Sequence, residues 1–347
     1  LTLFFSLSLS FSVYGNYYYP YKLNYISSIE TGEIFHSGSE FYIINYGLLG
    51  ENSYIYRTNN FLPVNGITLP NTSVLFAKSI SDKIILLTFV NDSLILVLYS
   101  NGTISNKIYI SNTFENYYKF VDILFQKDYI LLHLDKNLYL FNIQNNFPKE
   151  YSIISQNALA ANFYSLNDKI YIAIVEEESS QNVIKFLDIN GNTFNSLTIP
   201  SYNEVKIVDV NNYLSLIFSS FHNKSLVYLI NKGDYTVSNS LWINSNSNFI
   251  FFYDNSIYSL QANEKSYYLY KTYTNSIESN NVEIPNELVE PIYFKRYGNR
   301  IYTVFKNGIC VFDTNLRIQA VLSFNISQQL SDINDIIEYD NKFIVTS

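Results

Sequence analysis

The chain has 347 residues and a formal net charge of −8, and charged residues make up only 15% of it. The acidic balance and the lack of a basic stripe argue against nucleic acids and anionic membranes as partners, because both bind basic surfaces. The single cysteine, Cys310, excludes an intrachain disulfide and a cysteine-based zinc site, and we expect it to pack as a small apolar residue in a strand.

The first segment, residues 1–15, has apolar residues at odd positions and mostly Ser or Thr at even positions. This alternation has the period of a β-strand, and the segment is too short for an ordinary transmembrane helix. It also resembles the core of a secretory signal, with Val13 and Gly15 as small residues before a cleavage point, although it lacks a basic start. Three alternatives stay open: a strand that closes the chain's own fold, a strand donated to a neighbouring molecule, or a signal remnant.

Further along, eight segments share one pattern of an apolar run, a two-residue turn and a second apolar run. They recur about every 43 residues, and a fixed period of about 40–50 residues with several strands per unit is typical of a β-propeller. No stretch has sustained helical periodicity. The eight turns are Gly38-Ser39, Ser81-Asp82, Lys127-Asp128, Asn167-Asp168, Asn211-Asn212, Asp254-Asn255, Gly298-Asn299 and Asp340-Asn341.

Each unit has room for four strands, labelled a to d. In the third unit the predicted strands are residues 121–125, 129–134, 138–143 and 150–154. The a–b and c–d turns are rich in Asn and Gly, which tolerate the positive φ that tight hairpins require. Inner strands such as residues 84–87 are continuously apolar, which is expected where neighbouring blades cover both faces of a strand.

The last unit has only two predicted strands, Asp335–Tyr339 and Lys342–Thr346. The step from its turn through the joined chain ends to Ser39 is about 45 residues, close to the other steps. We therefore predict a single domain over residues 1–347. It is an all-β propeller of eight four-stranded blades, one of them shared between the termini, with seven blades as the alternative.

Two pairs of strands resemble known propeller repeats. They are residues 299–304 with 310–313, and residues 169–172 with 184–188, in which a turn precedes an Ile-Tyr strand and then a strand ending in Asp. This pattern resembles β-propellers of the YVTN, NHL and quinoprotein-like kind, over essentially the whole chain, and it implies a fold rather than an activity. The charge-poor composition, rich in Asn, Ile, Tyr and Phe, resembles that of exported surface glycoproteins of thermoacidophilic archaea.

Asn-X-Ser/Thr motifs, which are acceptors for N-glycosylation, fall in predicted turns or at strand ends. Four of them lie in b–c or d–a connections, which leave a propeller on one face, whereas the one in a c–d turn lies on the other face. We predict glycosylation at several of them, and hence export. The candidates are Asn71, Asn91, Asn101, Asn223 and Asn325.

Residues capable of metal binding or acid–base chemistry are few and scattered. His36, His133 and His222 occupy different positions in their units, so we expect no shared metal site and interpret them as surface or hydrogen-bonded strand histidines. The run Glu176-Glu177-Glu178 is interpreted as solvated charge in a b–c loop.

Asp122, Asp209 and Asp335 lie in or beside predicted a strands, the innermost strands of a propeller. They are candidates for lining a central channel and binding a cation or a sugar, although solvated strand-edge charge is the plainer interpretation. The motifs of propeller enzymes are missing, since Trp242 is the only tryptophan and the arginines are scattered. We predict no catalytic residue, no cofactor and no metal.

The sequence therefore favours a non-enzymatic, glycosylated protein of the cell surface or the medium, a structural or adhesive propeller that binds proteins or glycans. Clustered tyrosines such as Tyr17-Tyr18-Tyr19 provide contact surface for such partners. Three alternatives remain: a filament subunit assembled by donation of the N-terminal strand, a lectin-like sugar receptor, and a hydrolase that uses channel carboxylates.

Overall fold

In the computed structural model, residues 120–323 are described apart from 145–146, 179–180, 203, 221–223, 264–265 and 277; elsewhere mainly strands are described. These residues contain 32 strands, a short 3-10 turn at Ser247–Phe249 and no α-helix. Within this described part, no helix has the length and apolarity needed to cross a lipid bilayer. The all-β prediction is confirmed.

The chain divides into two compact units. The first consists of Leu1–Lys119, Phe305–Gly308 and Val321–Ser347, and the second of Phe120–Val304 and Ile309–Ala320. The single domain over residues 1–347 stays a prediction.

The first unit contains three four-stranded sheets, which we number by their place in the repeat: sheet 1 (β3–β6), sheet 2 (β7–β10) and sheet 8 (β2-β1-β32-β31). The strands are β1 Thr2–Phe5, β2 Asn24–Tyr25, β3 Ile34–Ser37, β4 Glu40–Asn45, β5 Ser53–Asn59, β6 Leu62–Leu69, β7 Ser73–Ile80, β8 Lys83–Val90, β9 Ser93–Ser100, β10 Thr103–Ser111, β31 Asp335–Tyr339 and β32 Lys342–Thr346.

Sheet 8 joins strands from the two ends of the chain. In it β1 pairs antiparallel with β32, with Leu3 opposite Val345 and Phe5 opposite Phe343. This pairing within one molecule is the arrangement that the closing-strand alternative describes. The number of blades around a ring stays a prediction.

The second unit contains sheets 3 to 6 and most of sheet 7, each an antiparallel meander of four consecutive strands. The strands are β11 Phe120–Gln126, β12 Tyr129–Leu134, β13 Asn137–Gln144, β14 Phe147–Ser155, β15 Ala158–Leu166, β16 Lys169–Glu178, β17 Gln181–Leu187, β18 Thr193–Ile199, β19 Val205–Val210, β20 Tyr213–Ser220, β21 Lys224–Asn231, β22 Val237–Ile243, β23 Ile250–Tyr253, β24 Ser256–Asn263, β25 Ser266–Tyr273, β26 Ser279–Glu283, β27 Pro291–Tyr297, β28 Arg300–Phe305, β29 Gly308–Asp313 and β30 Ile318–Ser323.

The tight turns have the backbone conformation that their sequences predict. Asn167 and Asp168 have φ of 50° and 62°, and Asp254 and Asn255 have 46° and 53°. Positive φ at both central residues matches the right-handed twist of the flanking strands, and Asn and Asp adopt it at low cost. These residues are therefore the local reason that these two a–b hairpins close where they do; in the turns of Lys127, Asn211 and Gly298 the first central residue alone has positive φ.

In the second unit the core lies between successive sheets from sheet 3 to sheet 6, on both faces of the inner strands. In β16, Ile172, Ile174 and Val175 have no exposed surface, and Phe186 of β17 is equally buried. Burying one such side chain contributes about 1.5–3 kcal/mol, which explains the continuous apolar runs. Cys310 is buried in β29, where burial raises the pKa of its thiol, so it packs as the predicted small apolar residue.

Candidate functional site

The two ends of each meander differ in their connections. In sheets 3 to 6, the a–b and c–d turns lie at one end, and the b–c turn and the connection to the next sheet lie at the other. We call these ends the turn face and the loop face. The turn face of sheets 4 and 5 comprises residues 164–171, 186–194, 209–212 and 231–235.

A buried lysine joins the turn ends of sheets 4 and 5. Lys232, in the c–d turn of sheet 5, is only 2% exposed. Its Nζ donates to the carbonyl oxygens of Ser165 (3.1 Å) and Asn211 (2.5 Å) and pairs with the carboxylate of Asp209. The other oxygen of Asp209 accepts the backbone N–H of Ser165 at 3.1 Å. Asp209, a candidate channel residue, is thus committed to an ion pair that holds two sheets in register.

Five aromatic rings continue from this ion pair toward solvent. Tyr164 stacks on Tyr171 with ring centroids 5.4 Å apart, and its hydroxyl donates to that of Tyr235 at 3.3 Å. Phe186 packs on Tyr235 at 4.4 Å, and Phe194 lies 5.5 Å from Tyr171 and 5.6 Å from Tyr235. Tyr164 and Phe186 are buried, whereas Phe194 is 48% exposed. The cluster therefore presents one ring to solvent from a rigid base.

The two c–d turns next to this cluster each contain a carboxylate, Asp188 before Phe194 and Asp234 before Tyr235. Asp188 Oδ1 accepts the backbone N–H groups of Asn190 and Asn192, both at 2.9 Å, and Asp234 Oδ1 accepts the N–H of Thr236 at 3.1 Å and its hydroxyl at 2.8 Å. Hydrogen bonds from the side chains of Asn192 and Thr236, respectively, are the largest cause of the lowered pKa of each carboxyl. Both groups therefore carry a charge whose position the turn determines.

An open cavity of ≈ 290 Å³ lies between the a–b turns of sheets 5 and 6. The Asn211 amide donates to Asn255 Oδ1 at 2.9 Å across these turns, and the guanidinium of Arg296 lies 3.9 Å from the centre of the Tyr253 ring. Carboxylates, an amide and aromatic rings in one concave site suit a small polar ligand. The lining residues are Asp209, Val210, Asn211, Phe252, Tyr253 and Asp254.

On the loop face, the Glu176-Glu177-Glu178 run differs from its interpretation as solvated loop charge. All three residues belong to β16, because Glu176 pairs with Val183 and Glu178 with Gln181 across the β16–β17 hairpin.

Glu176 is 9% exposed and accepts the Ser155 hydroxyl and the Lys185 Nζ, both at 2.5 Å. Lys185 also contacts Glu178 at 2.8 Å, and hydrogen bonding to these two carboxylates raises the pKa of the lysine. Glu177 pairs with Lys136 of sheet 3 at 2.9 Å. The run therefore forms a network of ion pairs in which Glu176 is buried, whereas Glu177 and Glu178 remain about half exposed.

The other candidate residues do not converge in the described part of the chain. His133 is buried in β12, its Nε2 lies 3.1 Å from the carbonyl oxygen of Ala158, and desolvation lowers its pKa. It is a hydrogen-bonded strand histidine, as interpreted. Asp122 is exposed and accepts the backbone N–H of Ile123 at 2.7 Å. His222 and the side chains of His36 and Asp335 lie outside the described residues.

No three His, Cys, Asp or Glu side chains of the described residues are grouped as metal ligands would be.

Among the glycosylation candidates, Asn91 lies within the described residues. It is exposed in the β8–β9 turn with a φ of 46°. The acceptors Asn71, Asn101, Asn223 and Asn325 lie outside the described residues, and modification at all five stays a prediction.

Sequence reasoning missed Lys232 and the ring cluster around Phe194. A Lys in an Asn- and Gly-rich turn normally indicates a solvated side chain, and here it is buried because Asp209 and two carbonyl oxygens of adjacent turns converge on it. A local signal existed for Asp188, because an Asp at the start of a c–d turn accepts the N–H two residues on; Asp313 does the same in sheet 7.

No protein-family model and no curated protein sequence matches the chain. Its structure is similar to those of known β-propellers. Sqt1 of Saccharomyces cerevisiae has a TM-score of 0.62 at 8% identity, covering 92% of this chain and 97% of that chain. BamB from Moraxella catarrhalis has a TM-score of 0.56 at 9% identity, covering 90% and 95%. The dihydro-heme d1 dehydrogenase NirN, in complex with DHE, has a TM-score of 0.60 at 10% identity, covering 88% and 69%. These likenesses establish the fold alone: the chain is a β-propeller protein.

Proposed function

We propose that this protein is an exported, glycosylated β-propeller that performs no catalysis and binds partner proteins through the turn face of sheets 4 and 5. The observation that carries the proposal is the half-exposed Phe194 ring packed beside Tyr235, together with the oriented carboxylates of Asp188 and Asp234 in the two c–d turns that these rings follow. Aromatic anchors on a rigid base with polar groups at their rim are typical of protein-binding surfaces.

The rigidity of this surface supports the same role. Lys232 and Asp209 tie sheet 4 to sheet 5, and the hydroxyls of Tyr164 and Tyr235 join the same two sheets. A surface that is already ordered loses little conformational entropy when a partner binds.

The export half of the proposal rests on the acceptor motifs. Four of the five lie in connections on the loop side of the repeat, and glycans there would leave the turn side open to a partner. The exposed turn position of Asn91 is compatible with a glycan.

A second candidate function is a lectin-like sugar receptor, and the cavity beside Asp254 and Tyr253 favours it. Carboxylate and amide groups hydrogen-bond sugar hydroxyls, and aromatic rings pack on sugar C–H faces. A glycan array separates this function from protein binding, because D254N would abolish sugar binding there and leave protein binding through Phe194 intact.

The filament alternative requires β1 to leave its own chain, where it pairs with β32. An intramolecular partner has the higher effective concentration, so self-pairing is favoured over donation. Size analysis of a variant lacking residues 1–14 tests this, since loss of stability without a change in oligomeric state supports self-pairing.

Fractionation of the native source, combined with intact-mass analysis, tests the main proposal. We expect the protein in the cell envelope or the medium, with sugar on several of the five acceptor asparagines and loss of one glycan mass in N91Q. Unmodified protein in the cytoplasm would refute the export half. Robust turnover of a substrate that depends on Asp254 or Asp209 would refute the non-enzymatic half.

A further inference from the structure

We propose that the turn face of sheets 4 and 5 recognises a basic, arginine-containing segment of a partner protein. This inference rests on the proposed function and adds the chemistry of the segment that the face accepts.

The charges of this face are unbalanced. Asp168 and Asp234 are exposed and Asp188 is partly exposed, whereas Lys169 is the exposed cation of these turns. Lys232 adds no accessible positive charge, because it is buried against Asp209. None of the three carboxylates forms an ion pair with a Lys or Arg of the described residues. The face therefore attracts cations and repels anions.

The carboxylates are also oriented before a partner arrives. The backbone N–H groups of Asn190 and Asn192 hold Asp188 Oδ1 and the Asn192 side-chain amide holds its Oδ2, and the N–H and hydroxyl of Thr236 hold Asp234. A carboxylate with two oxygens accepts more hydrogen bonds than these, so each retains acceptor capacity for a ligand. Binding then costs little reorganisation of the acidic side chains.

The exposed ring between the two acidic turns favours arginine over lysine. Phe194 follows the Asp188 turn, Tyr235 follows Asp234, and the ring centroids are 5.6 Å apart. A guanidinium stacks flat on such a ring while its N–H groups bind a carboxylate, which the compact ammonium of lysine does less well. The stacking half of this arrangement occurs elsewhere in the chain, where the guanidinium of Arg296 lies over the Tyr253 ring and donates to the Gly298 carbonyl oxygen.

Fluorescence anisotropy of the full chain with labelled octapeptides tests the proposal at an ionic strength on the order of 50 mM, where surface charges are weakly screened. The probes are repeats of Arg-Gly, Lys-Gly and Glu-Gly. We expect the Arg-Gly peptide to bind most tightly. The Kd of the Lys-Gly peptide should be at least about threefold higher, and the Glu-Gly peptide should not bind.

The double variant D188N/D234N removes both charges but keeps side-chain oxygens that can accept the turn hydrogen bonds. It should weaken Arg-Gly binding about three- to tenfold, as expected for two exposed charge interactions. F194L keeps an apolar side chain without a ring, and should reduce Arg-Gly binding to the Lys-Gly level. The control E177Q changes a carboxylate on the loop face and should leave binding unchanged within about twofold.

Three results would overturn the proposal: no Arg-Gly binding, equal binding of the three peptides, or undiminished binding by D188N/D234N with an unchanged melting temperature.

Failure of the proposed function is a separate outcome. If a natural partner binds the exported protein equally well with D188N/D234N and F194L, this inference fails and the proposed function loses only its binding surface. If native protein is cytoplasmic and unmodified, its export half fails whatever the peptides do.

Discussion

The turn face of sheets 4 and 5 and the loop face of sheets 3 and 4 hold their carboxylates in opposite ways. On the loop face, Glu177 pairs with Lys136, and Glu176 and Glu178 share Lys185. On the turn face, Asp188 and Asp234 accept N–H and hydroxyl groups of their own turns, which orient a carboxylate without cancelling its charge. The chain thus uses one type of group for cohesion at one end and leaves it available for binding at the other.

The largest loss of stability should come from breaking the ion pair between Asp209 and Lys232, the paired carboxylate of the turn face. K232M removes the Nζ that is shared by Asp209 and two carbonyl oxygens. We expect the free energy of unfolding in urea to fall by about 2–3 kcal/mol, less than for a fully buried pair because Asp209 is partly exposed. The control K169M changes an exposed lysine and should alter stability by less than about 0.5 kcal/mol. Equal effects of the two variants would contradict the buried ion pair.

On the loop face, burial should separate two glutamates that share one lysine. The side chain of Glu176 is 11% exposed and also accepts the Ser155 hydroxyl, whereas that of Glu178 is 49% exposed. E176Q should lower the free energy of unfolding by about 1–3 kcal/mol, and E178Q by less than about 0.5 kcal/mol. The comparison of faces would need revision if E178Q were the more damaging variant.

Mild acid should affect the loop end of sheet 3 before it affects the turn face. Burial lowers the pKa of His133, so the unfolded chain takes up a proton below about pH 6.5 that the folded chain resists. Stability from this group is complete above pH 6.5 and falls as the pH drops toward the folded pKa, by at most about 1.4 kcal/mol per pH unit. Equilibrium unfolding of the wild type and H133Q between pH 7 and 5 measures this; parallel pH profiles would refute it.

The stabilising contribution of Asp188 and Asp234, the carboxylates held by their own turns, should be lost at lower pH. The folded pKa of Asp188 and Asp234 lies below the ordinary value, so their contribution is complete above about pH 4 and is lost as the pH falls through the folded pKa. Peptide binding to the turn face should therefore persist at pH 5. Loss of binding between pH 7 and 5 would show that other groups control it.

The smallest expected change in stability distinguishes the turn hydrogen bonds that Asp188 accepts from its negative charge. D188A removes the acceptor of the Asn190 and Asn192 N–H groups and should lower stability by about 0.5–1 kcal/mol. D188N keeps one acceptor oxygen for these N–H groups but loses the oxygen that accepts the Asn192 side-chain amide, so its melting temperature should lie between those of the wild type and D188A, while binding of a basic peptide is still weakened. A variant pair with the reverse order would show that charge, not the cap, stabilises the turn.

Local rules were sufficient for much of this fold. The repeated Asn- and Asp-containing turns predicted the hairpins, because only a few residue types accept positive φ cheaply, and Asn167-Asp168 and Asp254-Asn255 have it. The apolar runs predicted the buried inner strands for the same kind of reason: a strand that is covered on both faces cannot alternate. The ends of the strands were predicted less accurately. β16 continues through Glu178, because ion pairs of Glu176 and Glu178 with Lys185 stabilise the longer β16–β17 hairpin.

What the sequence by itself determined is therefore the repeat: one four-stranded antiparallel sheet per unit, with its turns and apolar interior, since these depend on residues close together in the chain. Tertiary structure alone decided which polar groups are paired and which are free. Lys232 and Ser165 are separated by 67 residues, and Phe194 of sheet 4 contacts Tyr235 of sheet 5. Such partners share no sequence period, because the free energy of an ion pair or a ring contact depends on distance in space and on burial.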